Sequence, residues 1–125
     1  MARSLPSPVT ERHLARCVEQ AASHQTRALA WLREARDPAS PLSPARRRAL
    51  LLLALEHLLI ARHLLQRARK LTHEPALLAD LAEHLARLET IVANTERRLD
   101  TLDLQASGTD GSPVPAPATP ACLSD

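Results

Sequence analysis

The chain has no Phe and no Tyr, a single Trp, and only two Gly, both beyond position 107. Sandwiches and barrels draw on aromatic and β-branched residues for strands and on Gly for turns, so these absences exclude an all-β fold. The scarcity of Gly also removes any Gly-rich phosphate loop ahead of residue 108. Two cysteines, Cys17 and Cys122, make neither a disulfide framework nor a metal-type spacing. The opening segment MARSLPSPVTERH lacks the apolar stretch of a secretory signal. A reduced, cytoplasmic setting is the expectation.

What the chain does have is 24 Leu and 22 Ala among 125 residues, 15 Arg, and 10 Pro as punctuation. Leu, Ala, Arg and Glu are strong helix formers, and the composition is that of an all-α protein. Proline sets the boundaries. Ser7-Pro8 and Ser43-Pro44 each pair an N-capping serine with a proline suited to the first helical position. Thr72-His73-Glu74-Pro75 breaks the chain once more, with Thr72 or Glu74 as cap. The expected helices cover about 8–36, 44–71 and 75–102, after a short arm at 1–7. The bundle thus occupies 8–104. Residues 105–125, rich in Pro and poor in large apolar side chains, are expected to form a disordered tail.

The third helix has a regular seam of Leu78, Leu81, Leu85, Leu88, Val92, Thr95, Leu99 and Leu102, with the alternating three-four spacing of coiled coils. The first has a seam of smaller residues, Leu14, Val18, Ala21, Gln25, Ala28, Leu32 and Ala35. The second is apolar almost all round, apart from a stripe of Glu56, His63, Arg67 and Lys70. Such a helix belongs between neighbours. Short connections then give an antiparallel up-down-up three-helix bundle with the second helix in the middle. Flanking helices are expected over the arcs Leu53–Ile60–Leu64 and Leu51–Leu58–Leu65. The apolar run Leu50–Leu65 is interrupted by Glu56, His57, Arg62 and His63 and falls short of a bilayer span, so no membrane partner is expected.

Charge is unevenly placed. Residues 1–73 carry a net +8 and residues 74–125 a net −6, for a total of +2. The two halves of a chain that folds back on itself can neutralise each other in this way. Arg46, Arg47 and Arg48 sit in the first turn of the second helix, the wrong end for its dipole. Topology places Asp100 and Asp103, at the end of the third helix, beside them. Mutual compensation is the favoured reading. A contact with an anionic partner or nucleic acid is the alternative, although no aromatic residues interleave for base stacking.

No arrangement suited to catalysis emerges. Six histidines are present, but Glu-x-x-His and His-x-x-x-His do not occur. Asp80 and His84 share a helix face and read as a surface pair four residues apart. Cys17 and His24 are two turns apart, too far for a thiol–imidazole contact. Arg67 and His73 straddle a helix end, where cations suit the dipole. No cofactor, metal or enzymatic activity is expected. The sequence points instead to a small helical protein that acts through protein–protein interaction, as an adaptor, chaperone-like or regulatory protein. Its contact surface is assigned to Leu52, Leu55 and Leu59 on the second helix, beside the polar stripe. The partner would be a second copy of the chain or another helical protein.

Overall fold

Two Ser-Pro steps begin two helices by the same device. In the computed structural model, which describes residues 7–110 and side chains through Ala106, Ser7 Oγ accepts from the Thr10 N–H at 3.1 Å and Ser43 Oγ accepts from the Arg46 N–H at 3.2 Å. Each serine satisfies an amide that the first turn would otherwise leave unpaired. Helix α1 runs Pro8–Arg36, α2 Pro44–Lys70 and α3 Pro75–Asp110. At the third start, Thr72 Oγ1 accepts from the Glu74 N–H at 3.2 Å, and the Glu74 carbonyl accepts the first helical bond from Leu78. Both candidate caps are therefore used, in different roles.

The helices form the expected up-down-up bundle, with α1 and α3 both packed on α2. From α2 the core takes Leu51, Ala54, Leu58, Ala61, Leu65 and Ala68. The α3 seam is buried from Leu81 through Leu85, Leu88, Val92, Thr95 and Leu99, with Leu78 and Leu102 half-buried at its ends. From α1 come Cys17, Ala21, Ala28, Leu32 and Ala35. Alanines on facing stripes of α1 and α2 let these two backbones approach closely. By contrast, no Cα atom of α1 lies within 8 Å of one in α3. Side chains bridge that gap: His84 Nε2 lies 2.6 Å from Gln25 Oε1.

Three expectations need correction. Helix α3 continues to Asp110, beyond the expected end near Leu102. The residues after 102 are Asp, Leu, Gln, Ala and Ser, and no strong helix breaker precedes Gly108. Second, the arc of α2 through Leu53 and Ile60 is not covered: these side chains remain 41% and 37% exposed. The close Ala–Ala approach of α1 is narrow and leaves the outer flank of α2 bare. Third, His84 turns to Gln25 across the bundle, not to Asp80 on its own helix. The arm at 1–6 and the segment 111–125 lie outside the described residues.

Candidate functional site

The outer surface of α2 is the first candidate. Leu52 is 41% exposed, while Leu55 and Leu59 are half-buried against the core. Leu53 and Ile60 stand on the other flank of the polar stripe, next to Glu56 and His63, which are themselves exposed. The apolar surface is therefore wider than Leu52, Leu55 and Leu59 and is divided by charged groups along its middle. Against the expectation that its apolar run falls short of a bilayer span, the 27-residue α2 is long and apolar enough to cross a membrane by length and composition alone. Within the bundle it is tied on both sides. Arg62 Nη1 donates to Glu89 Oε1 of α3 at 3.0 Å, and Arg67 Nη2 donates to His13 Nε2 of α1 at 3.0 Å.

The three arginines at the start of α2 have different surroundings. Arg48 Nε donates to Asp103 Oδ1 at 2.8 Å, an ion pair between half-exposed groups that joins α2 to the far end of α3. Arg47 turns back to the preceding connection: Nη1 donates to the Ala35 carbonyl at 2.5 Å and Nη2 to the Ser40 carbonyl at 3.2 Å. It thereby satisfies a carbonyl at the end of α1 that no later amide of that helix can reach. Arg46 is exposed, and its guanidinium makes no ion pair among the described residues. Asp100 is likewise exposed. The end-to-end charge match thus rests on Arg48 and Asp103.

Two histidines that the sequence pattern did not bring together meet across α1 and α2. His24 Nδ1 lies 2.8 Å from His57 Nδ1, and the Trp31 ring meets His57 edge-on at a centroid separation of 4.9 Å. Burial, then the neighbouring His57 and the charge of Arg27, hold the His24 imidazole below the ordinary histidine range. A short Nδ1–Nδ1 bond needs one ring to donate and the other to accept, so at least one of the two is neutral. Among the described residues, no group of three or more His, Cys, Asp or Glu is placed to hold a metal ion. Cys17 is a free, buried thiol in the α1 face of the core. Arg67 and His73 are not joined: Arg67 is spent on His13, and His73 is exposed.

Comparisons with family models, with curated proteins and with solved structures find no match to this chain. Its own geometry also gathers residues that sequence reasoning had not singled out. Arg36, Arg97 and Arg98 stand with Arg47 around one crevice at the end of the bundle. They come from three helices, and no local spacing signals their convergence.

Proposed function

We propose that the protein acts by binding another helical polypeptide, a second copy or a different chain, along the outer face of α2, as an adaptor or regulatory protein. The observation that carries this reading is the exposure of three large aliphatic side chains, Leu52, Leu53 and Ile60, on the middle helix of the bundle. Covering the part of each that still meets water contributes about 1 kcal/mol. With Leu59 at the margin, the set forms a modest apolar anchor for a helix laid alongside. Glu56 and His63 within the same surface would fix the register of that helix through polar contacts.

A nucleic-acid partner at Arg46–Arg48 is the weaker proposal, since Arg47 and Arg48 already have partners within the chain. The test is sedimentation velocity over a wide concentration range, with the wild-type chain and a Leu52→Glu, Ile60→Glu variant. Concentration-dependent association that the variant loses while keeping its helicity is the expected result. A wild-type protein that stays monomeric overturns the self-association form, and immobilised protein can then be probed for a different helical chain with the same variant as control. Association that the variant keeps overturns the α2 surface as its seat.

A further inference from the structure

Where α1 ends, α2 begins and α3 nears its end, a crevice of about 820 Å³ opens between α1 and α3 and is lined from all three helices. Its apolar lining includes Leu29 and Leu32 of α1, Leu51 of α2, and Ile91 and Leu102 of α3. Its charged lining is of one sign: Arg36, Arg47, Arg97 and Arg98, with no Asp or Glu among the lining residues. The ion pairs of the described residues lie elsewhere, at Arg48–Asp103, Arg62–Glu89 and Arg87–Glu83. Arg47 is bonded to two carbonyls and Arg97 to Asn94 Oδ1, so both are held in place by neutral groups. Arg36 and Arg98 have neither a hydrogen bond nor an ion pair from their guanidinium groups among the described residues.

Arg36 and Arg97 are exposed and Arg47 and Arg98 half-buried, so the four like charges, with no carboxylate in the lining, make a positive field that favours an anion. Burial, and then the charges of Arg36 and Arg47, hold the Arg98 pKa below its ordinary value. The volume lies in the range of small-molecule pockets, which pair apolar lining with a few converging polar groups. Arginine forks match carboxylate and phosphate oxygens in particular.

We propose that this crevice binds an amphiphilic anion, a small molecule with an acyl or alkyl body against Leu29, Ile91 and Leu102, which are half-buried, and a carboxylate or phosphate head between Arg36 and Arg98. The site is separate from the outer face of α2 and does not depend on what that face binds.

The test titrates the full chain with decanoate and, in separate arms, decyl phosphate, decyltrimethylammonium and inorganic phosphate. Heat is read by calorimetry, and location by NMR shifts of arginine Nε–Hε groups and the Ile91 methyls. Both anionic amphiphiles should bind with perturbations centred on Ile91, Arg36 and Arg98. Inorganic phosphate should bind at least about tenfold more weakly, because it leaves the apolar lining uncovered. The Arg36→Gln, Arg98→Gln variant should keep its helicity and lose at least about tenfold in affinity. Asn94→Glu, an exposed position in the same lining, should give a loss by repulsion without removing any arginine.

Equal binding of the cationic amphiphile, or undiminished affinity in both variants, overturns the proposal. So does the absence of binding by the full chain. If a chain ending at Asp110 binds where the full chain does not, the carboxy-terminal segment itself is the occupant, which also overturns a free amphiphile as the ligand.

Discussion

His24 and His57, 33 positions apart in the chain, face each other nitrogen to nitrogen at 2.8 Å where α1 lies on α2. The contact requires a proton on one Nδ1 and a lone pair on the other. Double protonation removes the acceptor and leaves two cations in its place. Arg27 adds a third positive charge nearby.

Acid should therefore loosen the α1–α2 interface. The folded-state pKa of His24 is depressed below the ordinary 6.5. The folded state thus favours the neutral ring, and the unfolded chain binds more protons between the two values. The stabilisation is complete above the ordinary value and is lost as pH falls through the folded one. Thermal melts between about pH 5 and about pH 7.5 should show Tm rising with pH. His24→Gln keeps a hydrogen-bonding side chain without the titration, and its Tm profile should be flatter over the same range.

The three arginines opening α2 should separate by their partners. Arg47→Met removes donors from the Ala35 and Ser40 carbonyls and should cost about 1–3 kcal/mol. Arg48→Met loses one half-exposed ion pair and should cost at most about 1 kcal/mol. Arg46→Met should be close to neutral. Denaturant melts of the three variants give the order directly. A double-mutant cycle on Arg48 and Asp103 should show a small coupling that shrinks as salt is added.

Close packing of α1 on α2 depends on small residues. Ala61 is fully buried on that face, and Ala61→Leu should destabilise by about 1–3 kcal/mol through overpacking. Leu58→Ala, at the centre of the core, should cost about 2–5 kcal/mol by leaving a cavity. Leu52→Ala should cost well under either, because that side chain is already partly in water. Comparable losses at Leu52 and Leu58 in urea titrations would mean that the outer face is covered in solution.

Among the described residues Thr95 is the one buried polar side chain in the core, and its hydroxyl donates only to the Ile91 carbonyl one turn earlier, at 2.8 Å. That carbonyl already belongs to the helical ladder, so the bond relieves no orphan. Thr95→Val should leave Tm unchanged or raise it, as removing a buried hydroxyl without stranding its acceptor is nearly neutral. A drop of several degrees would reveal a further role for the hydroxyl in the crevice that it lines.

Much of this architecture was legible because its signals are local. Ser7 and Ser43 announce their helices through capping chemistry that spans three residues. The α3 seam is regular enough that its buried positions match the spacing from Leu81 to Leu99. Arg48 beside Asp103 followed from topology and dipole direction together. The inward face of α2 through Leu51, Leu58 and Leu65 was legible as the one opposite the polar stripe. How far the neighbours would cover its flanks was not, because the alanines at 54, 61 and 68 allow a close, narrow approach. This left Leu53 and Ile60 outside, where a covering helix was expected. His24 with His57, and Arg36 with Arg97 and Arg98, could not be read from spacing, because each meeting joins residues on different helices.

The separation of the α1 and α3 backbones bears on how the chain reaches its structure. Every backbone approach between helices is made within one of two hairpins, α1–α2 or α2–α3, and both share the same central helix. Each hairpin closes over a short connection, so neither must wait for a distant segment, and such local topologies fold rapidly. The order in which the outer helices dock is then set by their own interfaces. In native-state hydrogen exchange, α2 should be the last to open, since either outer helix can detach while the other still holds it.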